Sequence, residues 1–198
     1  MTNLEFDFTY YNNGINYLCG IDEAGRGPVA GPVVAAAVVF SKYISIEGIT
    51  DSKKITAKQR EKLFDVITNK ALTYGIGIVG VEEIEEINIL QATFKAMKQA
   101  LNNLSIKPDF VLIDGNLKFE NNLPTEAITK GDSKSFVIGA ASIIAKVTRD
   151  RIMLNLSKEF PNYYWEKNKG YGTKQHFEAI RKYGLTPHHR KSFLKNLF

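Results

Sequence analysis

Cysteine occurs once in the 198 residues, at Cys19. No intrachain disulfide is therefore possible, and neither a disulfide-stapled scaffold nor a cysteine-rich zinc module fits the chain. Cys19 itself, within Tyr17-Leu18-Cys19-Gly20-Ile21, reads as a small buried hydrophobe rather than a nucleophile. Long apolar runs are also scarce. The longest, residues 33–40, is far short of the roughly 20 residues needed to cross a bilayer as a helix. The first fourteen residues (MTNLEFDFTYYNNG) show neither a basic start nor an apolar stretch, so no secretory signal is expected. These scarcities lead to the expectation of a cytoplasmic protein with no membrane association.

The composition is otherwise that of a globular domain, with 44% hydrophobic and 24% charged residues. A disordered chain would have too little apolar surface to offset its ordering entropy. The formal net charge of +5 is unevenly spread. From Lys167 to Phe198 there are eight basic residues against one acid, Glu178, a balance of +7 that leaves −2 for residues 1–166. A basic tail on a near-neutral body points to a polyanionic partner, although a solvated basic helix has the same composition.

Periodicity predicts strands over 17–22 and 33–40, separated by the constrained stretch Gly25-Arg26-Gly27-Pro28-Val29-Ala30-Gly31-Pro32. A helix is expected over 56–70 and a third strand over 73–81, where glycine alternates with bulky residues. Another helix is expected over 82–101, broken near Asn88, which can cap its second half. Short strands follow at 109–114 and 126–129, then a long apolar helix over 135–160 and a basic helical tail. Residues 1–16 show no clear period and read as a loose extension. The fold class is α/β, a mixed sheet with helices on its faces.

Carboxylates occupy places where acids are unusual. Asp22-Glu23 ends one buried strand, Asp114 ends another, and Asp132 precedes the long apolar helix. A carboxylate at the end of a buried run must be paired, hydrogen-bonded or bound to metal. Taken singly, Asp132 reads as a helix cap and Asp114 as a turn residue. Asp22 and Glu23 point to opposite faces of a strand, so a bend after Asp22 is expected if both serve one site. Brought together, the four would make an oxygen-only donor set suited to Mg²⁺ or Mn²⁺. Two such ions assist phosphoryl displacement by stabilising the attacking and leaving oxygens. The alternatives are a non-catalytic nucleic-acid-binding module and a metal-dependent phosphatase, the latter leaving the basic tail without a purpose.

The segment Gly20-Ile21-Asp22-Glu23-Ala24-Gly25-Arg26-Gly27-Pro28, with Ala30-Gly31-Pro32-Val33, resembles the opening signature of ribonuclease HII. Further blocks agree in order: Asp51-Ser52-Lys53-Lys54; Asn88-Ile89-Leu90-Gln91-Ala92-Thr93; the run from Gly139 to Asp150; and Tyr171-Gly172-Thr173 with His176, His188-His189-Arg190 and Ser192-Phe193. Together they span roughly residues 17–193. The resemblance implies a ribonuclease H-like fold with a C-terminal helical appendage. It divides the chain into an extension (1–16), a catalytic domain (17–166) and a basic helical segment packed on it (167–198).

The resemblance further implies two-metal cleavage of RNA in RNA–DNA hybrids, and at single ribonucleotides embedded in duplex DNA, leaving 3′-hydroxyl and 5′-phosphate ends. Asp22, Glu23, Asp114 and Asp132 would bind the metals and carry catalysis. Gly25, Arg26 and Gly27 would read the 2′-hydroxyl, and Tyr171 would stack on the following sugar. Lys53 and Lys54, in a polar loop, read equally as phosphate contacts or as solvated lysines. The related type III enzymes carry a different residue in the Gly-Arg-Gly loop, which favours type II. A monomer is expected. Lys146 is expected too far along a continuous helix from Asp132 to help at the metal centre, and Arg149–Asp150 is expected to be a structural salt bridge. The three histidines are expected to pack or to contact phosphate.

Overall fold

The computed structural model describes residues 1–49 and 55–195. At its centre is β1 (Leu18–Ala24), flanked by β2 (Val33–Val39) and β4 (Phe110–Asp114) in a five-stranded sheet ordered β3-β2-β1-β4-β5, with β3 at Thr73–Val79 and β5 at Thr125–Ile128. The first three strands run antiparallel, while β4 and β5 run parallel to β1. Every residue of β2 is buried, as expected of a strand covered on both faces.

Side-chain alternation divides the core in two. Leu18, Ala36, Val38 and Leu112 face α5 (Phe136–Glu159), and Cys19, Ile21, Ala35, Val111 and Ile113 face α3 (Val81–Asn102). Both helices sit close to the sheet backbone. A β-carbon on Gly20 would lie 2.2 Å from the Val137 carbonyl carbon, and one on Gly77 would lie 1.9 Å from the Ala96 carbonyl oxygen. The Gly-bulky alternation of β3 is thus the imprint of a helix seated on it. Asn88 breaks α3 as expected, and its Oδ1 accepts from the Leu90 and Gln91 amides.

The helices expected over 56–70 and 135–160 agree to within a residue, whereas the expected helical tail is α-helical only over residues 165–168 and 174–183. α2 (Ala57–Lys70) starts at a Thr56–Gln59 capping box, and Ser135 caps α5. α4 is the short turn Gly131–Lys134, and the C-terminal part holds α6 (Trp165–Asn168) and α7 (Lys174–Tyr183). These last elements share a small apolar cluster with Val29 and Ala30, so the tail packs directly against the glycine-rich stretch. Among the described residues no helix is long and apolar enough to cross a membrane.

Residues 1–16 depart from expectation. Asn3–Asn12 form α1, started by a Thr2–Glu5 capping box. The Thr-x-x-Glu pattern is the sequence signal that the expectation of a loose extension missed. Asp7 on α1 is buried and accepts from the Val137 amide at 2.9 Å, so the N-terminal helix caps the central helix. Burial raises the Asp7 pKa to about 6, against the opposing hydrogen bonds from Ser135, Val137 and Phe136.

A carboxyl whose folded pKa exceeds its unfolded value contributes stability that is complete below the unfolded pKa, here 3.8, and is lost as pH rises through about 6. The amount is at most about 3 kcal/mol. Asp7→Asn should remove this slope: in urea unfolding, the stability difference (wild type minus variant) should fall as pH rises across that interval.

Candidate active site

A cleft of about 380 Å³ opens at the carboxyl ends of β1 and β4. The ladder between these parallel strands ends at Ile21–Ile113, while β1 stays regularly paired with β2 through Ala24. Asp22 and Glu23 therefore both line the cleft without the expected bend, because the space opens along the edge that β4 leaves. Asp114, the last residue of β4, accepts from the Gly131 amide at 2.6 Å and the Asp132 amide at 3.3 Å. These bonds tie α4 to the strand end, and Asp132 joins the same cleft. The four carboxylates predicted from sequence are thus brought together.

Their electrostatics are unfavourable to charge. Asp22 is 5% exposed, and its pKa is raised well above the carboxylate range by burial first, then by the charges of Glu23 and Asp114. Hydrogen bonds from Ser142 and the Glu23 amide oppose that shift. Burial also raises Glu23, against the Arg26 guanidinium 3.2 Å away. An all-oxygen set of crowded acids suits a hard divalent cation, whose charge would relieve the repulsion. Among the described residues no three His, Cys, Asp or Glu side chains already form a metal-holding group.

The Gly25-Arg26-Gly27 loop forms another wall. Gly25 has φ +102°, and a β-carbon there would lie 2.3 Å from Arg149 Nε, so the fold itself demands glycine. Gly27 differs. Its φ lies outside the left-handed region, and the nearest neighbour of an added β-carbon is the Tyr171 ring at 3.8 Å. Packing does not demand glycine there; the open space faces the cleft, with Tyr171 beside it and 47% exposed.

Two buried arginines hold this loop from behind. Arg190 donates to the carbonyls of Gly25 (2.7 Å), Arg26 (3.1 Å) and Gly31 (2.7 and 3.0 Å). Arg149 donates to the carbonyls of Pro32, Ala30 and Lys169. Burial, with Arg149 nearby, lowers the Arg190 pKa to about 9, which still leaves it charged at neutral pH.

Arg149 is thus structural, as expected, but through backbone carbonyls rather than Asp150, which instead pairs with Arg60 at 3.8 Å. The continuous helix expected between Asp132 and Lys146 is not found. The helix is interrupted at Ser135, so Asp132 and Lys146 do not lie on one continuous axis, and Lys146 lines the cleft together with Arg149 and Asp150. Ser142, Lys146 and Arg149, spaced four and three apart on α5, form one helix face. The lone hydroxyl of Ser142 within the apolar run was the signal that could have marked that face. Lys53 and Lys54 lie outside the described residues.

Arg190→Lys keeps a charge but loses the planar fork that reaches three carbonyls. It should cost about 2–4 kcal/mol in urea unfolding, whereas replacing exposed Lys191 should cost almost nothing.

The family model for ribonuclease HII matches residues 19–198. A ribonuclease HII from Clostridioides difficile is 56% identical over 192 residues, covering 97% of this chain and 75% of that protein. The crystal structure of ribonuclease H2 from Pyrococcus horikoshii superposes with a TM-score of 0.76 at 31% identity, over 91% of this chain and 96% of that one. Bst-RNase HIII, solved in complex with Mn²⁺, shares the fold with a TM-score of 0.68 at 18% identity, over 89% and 64% of the two chains. Matched along nearly its whole length, the chain belongs to the ribonuclease HII family of metal-dependent hydrolases with ribonuclease H activity.

Proposed function

We propose that the chain cleaves the RNA strand of RNA–DNA hybrids and also cuts at single ribonucleotides embedded in duplex DNA, leaving 3′-hydroxyl and 5′-phosphate ends. The supporting observation is the convergence of Asp22, Glu23, Asp114 and Asp132 on one cleft with Gly25–Gly27 and Tyr171. In this reading the four carboxylates hold two Mg²⁺ or Mn²⁺ ions, and metal dependence in the fold is supported by the Mn²⁺ complex of Bst-RNase HIII. Such ions, when bound, activate water and stabilise developing charge on phosphate oxygens.

The chain's own residues account for selection. The 2′-hydroxyl is the group that separates RNA from DNA, and only glycine lets a backbone approach a sugar closely. Gly27 leaves that space beside Tyr171, which would stack on the following sugar. Gly25 and Arg26 would read the 2′-hydroxyl with Gly27, largely through backbone groups, and Lys53 and Lys54 would contact phosphate. Residues 17–166 would form the catalytic unit, 1–16 an extension and 167–198 a basic segment packed against it. The protein would act as a monomer in the cytoplasm.

Two substitutions test the parts separately. Asp22→Asn or Asp114→Asn should lower cleavage by at least about 100-fold while duplex binding stays near normal; full activity in either would refute the carboxylate assignment. Gly27→Ala should leave thermal stability unchanged yet lower cleavage at an embedded ribonucleotide by about 100-fold, since a small misplacement at the reacting centre suffices.

A further inference from the structure

Behind Tyr171, away from the carboxylates, two buried histidines face each other. His176 on α7 is fully buried, His189 is 2% exposed, and their Nε2 atoms are 3.2 Å apart. Fixed donors decide which nitrogen carries each proton. The Trp165 indole N–H, which can only donate, points at His176 Nε2 at 3.0 Å. That nitrogen is an acceptor, so the His176 proton sits on Nδ1 and is donated to the Tyr171 carbonyl at 2.9 Å. Likewise the Thr186 amide donates to His189 Nδ1 at 2.9 Å, which places the His189 proton on Nε2, facing the single His176 Nε2 lone pair that it shares with the Trp165 N–H.

The outcome is a one-way chain from Thr186 through His189 and His176 to the Tyr171 carbonyl. A second proton on either ring would set N–H against N–H. Burial works in the same direction, lowering His176 and, with His176 beside it, lowering His189 to about 4.

Both ends of the chain touch the walls of the cleft. The Tyr171 carbonyl also accepts from the Thr173 amide at 2.8 Å, so two donors fix the peptide from which the ring projects towards Gly27. At the other end, His189 bridges Ala30, the Gly31 amide donates to the His188 carbonyl, and the Arg190 amide donates to the Val29 carbonyl. One buried relay therefore joins the tail, the Tyr171 segment and the glycine-rich loop.

We infer that His176 and His189, locked in complementary neutral tautomers, are positioning residues that set the Tyr171 ring against the Gly25–Gly27 loop and so sharpen selection of a ribonucleotide junction. The inference rests on the reading of Tyr171 given under Proposed function. Neither histidine touches the substrate; the pair acts through the Tyr171 backbone.

Isosteric variants separate the two bonds of His176. Asparagine places an amide N–H near Nδ1 and keeps the donor to Tyr171. Glutamine places its carbonyl near Nε2 and keeps the acceptor for Trp165 but loses that donor. The readout is the ratio of kcat/KM for a duplex with one embedded ribonucleotide to that for a continuous RNA–DNA hybrid. Tyr171→Ala and His176→Gln should each lower it about 3- to 10-fold, and the double variant no further. His176→Asn should keep the wild-type ratio.

A ratio lowered by asparagine and kept by glutamine would overturn the inference, because packing against Trp165 would then be the whole role. A ratio unmoved by Tyr171→Ala would instead overturn the reading of Tyr171, and the selective role with it. Long-range ¹H–¹⁵N imidazole spectra of the unaltered protein give a test independent of variants. At neutral pH they should show one Nδ1–H and one Nε2–H neutral ring for the pair; a protonated ring, or matching tautomers, would overturn the inference.

Discussion

A guanidinium taken out of water needs dipoles around it in place of hydration, and Arg190 finds them in the carbonyls of Gly25, Arg26 and Gly31. Arg149 does the same with Ala30, Pro32 and Lys169. Glycine-rich backbone has little conformational preference of its own, so its shape must be imposed. Here it is imposed from behind by two rigid forks, one from the central helix and one from the tail. The basic tail is therefore not only a charged surface: its arginine at position 190 is internal, and the cleft wall depends on it.

The opposite wall has the opposite problem. Asp22 is buried with Glu23 and Asp114 beside it, and its charge is disfavoured by both burial and repulsion. Such strain persists at a site only when the surrounding fold over-determines it. The amides of Gly131 and Asp132 on Asp114, and the Ser142 bond to Asp22, are the local anchors that hold these acids in place. Lys146, Arg149 and Arg26 line the same cleft as the acids, Arg26 paired with Glu23. That mixture of charges would suit a phosphodiester held between divalent ions and cationic side chains.

Much of this was legible in the chain. The strands, the Asn88 break and the placing of acids at strand ends follow from period, capping and the cost of burying charge. Convergence of the four acids was not legible by spacing, since it depends on β4 pairing parallel to β1 and then parting from it after Ile113. The expected bend after Asp22 failed for the same reason. The continuous axis expected from Asp132 to Lys146 failed because one residue, Ser135, leaves helical geometry and breaks it. Arg149 was expected to pair with Asp150, and Arg190 counted only among the tail's charges; the three-dimensional path of residues 25–32 gives both their carbonyl partners. The N-terminal helix was announced by its Thr2–Glu5 box, but its docking through Asp7 is a contact between residues 130 positions apart.

In the proposed reaction, the carboxylates of one cleft act on a phosphate selected by its neighbouring 2′-hydroxyl. A duplex carrying a single ribonucleotide, incubated with Mg²⁺ beside an otherwise identical all-DNA duplex, puts this to the test in one gel. Cleavage confined to the ribonucleotide-containing strand, abolished by EDTA and leaving a 3′-hydroxyl end, is the predicted result. Equal cutting of both duplexes, or cutting that persists in EDTA, would contradict it.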